Sequence, residues 1–172
     1  VEIYDVPDPV EGERFLVAEY VDGPSLRRFL LDLPAVLAAG DGGARPTSRL
    51  PCFPPEVAAA LIREVVCALE RAHEEGIVHR DVKPENILLA GLRGASNVHS
   101  SVKLTDFGIA KILDAQGMTS TGQILGSPSH MSPEQIEGTD VDLRVDIFAV
   151  GVLFYELLTG KLPFEGKNPA QV

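Results

Sequence analysis

The sequence predicts an α+β fold in which a few short strands serve a mostly helical body. Three observations carry this expectation. Two β-rich runs stand at the start, at residues 1–6 and 14–20. A second pair of short apolar runs stands mid-chain, at 87–89 and 102–105. Two long stretches, 55–75 and 142–158, are apolar at helical spacing or on every side. The 172 residues make one domain, with room for two lobes. With 45% hydrophobic and 23% charged residues the chain can bury a core, which excludes disorder throughout.

Taken in order, Pro7, Pro9 and Gly12 separate the first two runs, the pattern of an antiparallel hairpin. Asp22-Gly23-Pro24 breaks the chain, and Ser25 stands where it can cap a short helix reaching Leu31. Residues 34–55 hold Gly40, Gly42, Gly43 and five prolines and read as a long exposed loop. Pro54-Pro55-Glu56 then opens a helix whose Val57, Leu61, Val65, Ala68, Leu69 and Ala72 share a face, with Gly76 as its C-terminal cap. That helix reads as mostly buried, Cys67 as part of its core, and Glu74 and Glu75 as its wet end. A Gly-, Ser- and Asn-rich loop joins the two mid-chain strands, and residues 114–133 form a polar irregular stretch. The last helix starts within 142–146, runs apolar all round to Leu158 and stops at Gly160, ahead of Pro163. It reads as a core helix.

Charge narrows the function classes. Fifteen Lys and Arg stand against 25 Asp and Glu, so the net charge is −10 and no basic run offsets it. This opposes attraction to nucleic acid or anionic lipid. Cys52 and Cys67 are too few for a disulfide framework or a four-ligand zinc site, which fits a reducing compartment. The longest apolar run, 147–155, is far below the roughly 20 residues that span a bilayer, and no secretory pattern opens the chain.

Chemistry concentrates in two loops. His79-Arg80-Asp81-Val82-Lys83-Pro84-Glu85-Asn86 follows the long helix, and Asp106-Phe107-Gly108 follows the second mid-chain strand. Asp81 can accept a proton from a hydroxyl, Lys83 is a cation two residues on, and Asn86 and Asp106 offer oxygen to a metal. An oxygen pair of this type suits Mg²⁺, which keeps positions for phosphate and water. Base, metal and charge clamp together are what phosphoryl transfer needs. The first motif fixes six residue types, so a chance match is on the order of 10⁻⁸ per position. Asp106-Phe107-Gly108 downstream, with Ser132-Pro133-Glu134 beyond it, makes the combination highly specific.

At these residues the sequence resembles the eukaryotic-like Ser/Thr protein kinases, above all the bacterial members, over nearly all of residues 1–172. The resemblance implies a two-lobed kinase fold. Residues 1–18 would belong to the small lobe, 19–25 to the hinge, and 26–172 to the helical large lobe. It implies Asp81 as catalytic base, Lys83 on the transferred phosphate, and Asn86 and Asp106 on Mg²⁺. The backbone of Glu19 and Val21 would bond adenine, with Leu88 beneath the ring and Glu85 beside the nucleotide. Ala18 would be the gatekeeper, small for the family, and so an enlarged back pocket is expected. Arg80 implies control by a phosphorylated activation loop, with Thr119 and Thr121 as its switch sites and Ser120 between them. Ser127 takes the place of a threonine, and His130 that of a tyrosine. Asp146 is expected to hold the catalytic-loop backbone, Glu134 to pair with an arginine further along, and His79 to be a packed histidine. His73 and His99 are expected to face solvent.

The family's Gly-rich loop, strand lysine and helix glutamate would precede Val1, and helices of the large lobe would follow Val172. The expectation is therefore a central kinase fragment, poorly soluble and inactive alone. The implied cofactors are ATP and Mg²⁺, the partners protein substrates without nucleic acid, and the location cytoplasmic. A membrane anchor outside this segment and the oligomeric state stay open. A pseudokinase scaffold is the main alternative, although Asp81, Lys83, Asn86 and Asp106 are all intact. Small-molecule phosphotransferases share only the Asp-to-Asn spacing.

Overall fold

The structure is a computed structural model that describes residues 1–5, 17–40, 52–91, 101–107 and 128–164. Two strands, β1 (Ile3–Asp5) and β2 (Val17–Ala18), pair antiparallel with Ile3 opposite Ala18. They realise the expected hairpin, in shorter form. Helix α1 (Leu26–Gly40) follows, capped as the sequence predicts: the Ser25 hydroxyl accepts the Arg28 N–H at 3.2 Å.

Residues 34–40 are not loop. The helix continues through Pro34 to Gly40, because Ala35, Val36, Leu37, Ala38 and Ala39 carry enough helix preference to outweigh one missing N–H. The rest of the expected loop, 41–51, lies outside the described residues.

Helix α2 (Pro55–Glu74) begins on Pro55, whose absent N–H is one the first turn leaves unpaired in any case. It ends as the chain passes Gly76 at φ +74°, a left-handed conformation that glycine adopts without Cβ strain. The helix packs against the C-terminal helix and the fourth strand, burying Ala58, Val65 and Leu69. Its other side is open, with Val57, Val66 and Cys67 exposed. The expectation of a mostly buried helix is therefore corrected, and Cys67 is not core: only one face meets a neighbour.

A 3₁₀ turn (Pro84–Asn86) leads into β3 (Ile87–Ala90), which pairs antiparallel with β4 (Ser101–Leu104) in the register Ile87 to Leu104. Alternation along β3 sends Ile87 and Leu89 into the core and leaves Leu88 half-buried on the opposite side. A second 3₁₀ turn (Pro128–His130), the short helix α3 (Pro133–Glu137) and helix α4 (Arg144–Thr159) complete the described chain. Gly160 closes α4 at φ +65°.

Helix α4 is apolar all round but buried on one side only. Val145, Ala149, Val152, Leu153 and Leu157 are buried, while Leu143 just ahead of it and Ile147 and Tyr155 within it are exposed. The core draws Leu26 and Leu30 from α1, Ala58, Val65 and Leu69 from α2, Val82, Ile87, Leu89 and Leu104 from the loop and strands, and Ala149, Leu153 and Leu157 from α4. Each fully buried Leu or Ile contributes about 1.5–3 kcal/mol. The consequence for function is positional: β3, β4 and the loop before them are clamped between α1, α2 and α4.

Candidate active site

Val82, Pro84 and Ile87 are buried, and they anchor the loop that carries the polar residues between them. Asp81 therefore emerges at a fixed place. Its Oδ2 receives both the Lys83 ammonium at 2.7 Å and the Asn86 Nδ2–H at 2.8 Å, and the same Nδ2 also donates to the Asp81 carbonyl at 2.9 Å. Two donors on one oxygen orient the carboxylate and leave Oδ1, which has no partner among the described residues, as the oxygen to take a proton. The Asn86 amide commits its nitrogen to Asp81, so its Oδ1 is the atom it has left to offer a metal. The Thr105 N–H bonds the Asn86 carbonyl at 3.0 Å, which brings Asp106, the next residue, alongside. Asp106 is exposed and sits at φ +61°, a conformation an unstrained loop rarely gives a non-glycine residue.

Behind this loop stands Asp146, fully buried in the first turn of α4. Its Oδ2 accepts the His79 N–H at 2.9 Å and its Oδ1 the Arg80 N–H at 2.7 Å. A third donor, His73 Nε2 from α2, reaches Oδ2 at 2.7 Å. His73 is thus not solvent-facing as expected. It sits on the face of α2 turned toward α4, where the buried carboxylate needs donors. His79 is buried, with Nε2 donating to the Thr105 carbonyl at 3.1 Å and Nδ1 accepting the Asp81 N–H at 3.3 Å. Those partners fix one neutral tautomer, and burial pushes its pKa below the ordinary value against the pull of Asp146. Its ring packs against Phe107 with centroids 4.5 Å apart. Arg80 is held at φ +66°, and its buried Nε finds no partner among the described residues.

The other candidates lie around β2 and β3. Glu19 donates its N–H to the Glu2 carbonyl at 2.8 Å, and its carboxylate pairs with Lys103 on β4. That side-chain bond, aided by the Glu2 N–H, holds the Glu19 carboxyl below the usual range. Val21 follows the exposed Tyr20, and Leu88 pairs with Lys103 across the sheet while bridging to Ser25. Glu85 points outward to Arg27 on α1 at 2.8 Å, and Arg27 reaches on to the buried Glu156 of α4 at 2.7 Å. His130 closes the chain of contacts at 3.0 Å from Glu156. Burial opposes ionisation of Glu156, but the bonds from His130 and Arg27 outweigh it and hold its carboxyl below the usual range.

The structure thus brings Asp81, Lys83 and Asn86 into contact, and Asp106 follows Thr105, whose N–H bonds the Asn86 carbonyl. Thr119 and Thr121, with Ser120, Ser127 and His99, lie outside the described residues. Sequence reading missed Arg27, Glu156 and Gln135. Glu156 was findable, because a lone carboxylate inside an apolar helix needs a buried partner.

The model of the protein kinase domain matches residues 1–172, the entire chain. The chain belongs to the protein kinase family. Its relatives include the serine/threonine-protein kinase PknL of Mycobacterium tuberculosis, 40% identical over 158 residues that make up 92% of this chain and 34% of that protein. The probable serine/threonine-protein kinase PknB of Lactococcus lactis is 35% identical over 94% of this chain and 22% of its own length. The serine/threonine-protein kinase PrkC of Bacillus subtilis is 34% identical over the whole chain and 23% of its own length. This kinase segment spans about a third or less of these relatives. Among its described residues no helix is long and apolar enough to cross a membrane.

Proposed function

We propose that the protein carrying this chain transfers the γ-phosphoryl group of Mg·ATP to Ser or Thr hydroxyls of proteins. The observation that carries this reading is the Asp81 carboxylate, oriented through Oδ2 by Lys83 and Asn86 and open at Oδ1. Asp81 orients the substrate hydroxyl and takes its proton at Oδ1. Lys83, two residues on, holds positive charge where the transferred phosphate's oxygens would lie. The residues present fit Mg²⁺: Asn86 and Asp106 are oxygen ligands from two segments joined by the Thr105 N–H bond to the Asn86 carbonyl, and an ion content with two protein ligands keeps sites for phosphate and water. When bound, Mg²⁺ supplies charge neutralisation on the phosphates.

On the same reading residues 1–18 are the end of the small lobe, 19–25 the hinge and the remainder the large lobe. With its N–H committed to Glu2, Glu19 offers adenine its carbonyl, and Val21 offers its N–H, while Leu88 lies beneath the ring and Glu85 flanks the nucleotide. The unpartnered Arg80 Nε supports regulation by an arriving anion, for which phosphorylated Thr119 or Thr121 are the candidates. Dependence on ATP and the free thiols of Cys52 and Cys67 favour a cytosolic location.

The test is the full-length protein with labelled ATP, Mg²⁺ and a generic basic protein, followed by identification of the phosphorylated residue. Phosphoserine or phosphothreonine is expected, falling about 10²–10⁴-fold in Asp81→Asn. Nucleotide binding without transfer would instead support the scaffold reading, and label on a metabolite alone would overturn the protein-kinase assignment.

A further inference from the structure

The residue preceding Asp81 is held in an unfavourable conformation by groups from two different elements. Arg80 sits at φ +66°, where an L side chain crowds its own backbone. Its N–H is bound by Asp146 at 2.7 Å. Its carbonyl, which belongs to the peptide that leads into Asp81, is bound by the Gln135 Nε2–H at 2.8 Å from α3, 55 residues away. The two bonds hold the two peptide groups that flank the Arg80 Cα, and the second of these is held on its other side only by the long 3.3 Å bond from the Asp81 N–H to His79. Without the Gln135 bond that peptide is freer to turn, and Asp81 with it.

Gln135 does a second task with its other atom. Oε1 accepts the Ser132 N–H at 3.1 Å, and Ser132 in turn receives the N–H of residue 135, which makes the reciprocal box at the start of α3. Glutamate or glutamine serves that box equally. Only glutamine can also donate to the Arg80 carbonyl, since a carboxylate there would set oxygen against oxygen. The residue choice is therefore explained by the bond to Arg80 and not by the cap.

We infer that Gln135 is a positioning residue for phosphoryl transfer: through the Arg80 carbonyl it fixes the backbone that aims Asp81. The inference rests on the reading of Asp81 as the proton acceptor.

The test compares the full-length protein with Gln135→Glu, which keeps the box acceptor and loses the donor to Arg80, and with Ser132→Ala, which weakens the box and keeps the donor. For Gln135→Glu the expected result is a cooperative melt at a modestly lowered temperature, an unchanged KM for ATP and a kcat lower by about 10²-fold, with faster deuterium uptake over residues 79–83 but not over α3. Ser132→Ala is expected to do the reverse, loosening α3 at wild-type kcat. Gln135→Lys, which can again donate to the Arg80 carbonyl, should recover most of the lost rate. Should Gln135→Glu fail to fold, Gln135→Met against Gln135→Lys makes the same comparison of no donor with a donor. Wild-type kcat and wild-type exchange at 79–83 in Gln135→Glu would overturn the inference alone. A wild-type protein that transfers no phosphate would overturn the role of Asp81, and with it the catalytic role of Gln135.

Discussion

Asp146 gathers three donors from α2 and the Asp81 loop onto one buried carboxylate. Replacing it with alanine leaves His73 Nε2 and two backbone N–H groups without partners in a site largely shielded from water. The expected cost of Asp146→Ala is about 3–5 kcal/mol, read from the urea midpoint. A loss below about 1 kcal/mol would mean that the loop holds itself. Both oxygens of Asp146, buried in α4, have donors, in contrast to the partly exposed Asp81 of the loop, and so the two aspartates separate by burial and partners. At Ala18, half-buried at the end of β2, a methyl stands where the family resemblance puts a gatekeeper. The full-length kinase is expected to be inhibited by bulky adenine analogues at least tenfold more strongly than its Ala18→Met form, which fills the same space. Equal inhibition of both would remove Ala18 from the pocket.

Between elements, the tightest approach is that of the segment after β2 to strand β3. A Cβ built on Gly23 falls well inside contact distance of the Leu89 carbonyl oxygen, a backbone atom that cannot step aside. The Leu89 N–H bonds the Pro24 carbonyl at 2.9 Å, and Ser25 bridges to Leu88, so the segment is stitched to β3 immediately beside the clash. Gly23→Ala is therefore expected to destabilise by about 1–3 kcal/mol, seen as a lower urea midpoint at an unchanged slope. In the proposed kinase it should also weaken ATP binding, because residues 19–25 would be displaced from Leu88. Helix α1 carries a different lesson at this scale. Its extension through Pro34 to Gly40 was hidden because proline and glycine are strong local stop signals, yet a proline one turn or more inside a helix costs only local bonds that a run of alanines and leucines can offset.

Across the whole molecule, two buried titrating groups point the same way. Burial lowers the His79 pKa, and the bonds from His130 and Arg27 lower that of Glu156 against its burial. In both cases the folded state binds its proton less readily than the unfolded chain does, so the stability they contribute is present above the unfolded pKa and is lost as pH falls. For His79 the loss begins as pH drops through about 6.5, and for Glu156 through about 4.3, the values in unfolded chains. Urea midpoints measured from pH 8 to 3 should fall in those two windows, with the upper step reduced in His79→Asn. A midpoint that rises on acidification from pH 7 to 5.5 would contradict the buried neutral imidazole. The amino-acid sequence by itself determined the family, the main strands and the two long helices, and the candidate residues of the site, while the short helix α3 and the end of α1 were not read from it. The features it determined are encoded locally, as motif spacing, caps and periodicity within a dozen residues. Which faces of α2 and α4 are covered, that His73 serves Asp146, that Arg27 and His130 meet on Glu156, and that Gln135 grips the backbone before Asp81 were decided only by the tertiary structure. Each of these joins groups 26 to 129 residues apart, and a buried polar atom takes its partner from whatever packing brings within 3 Å, which no local pattern records.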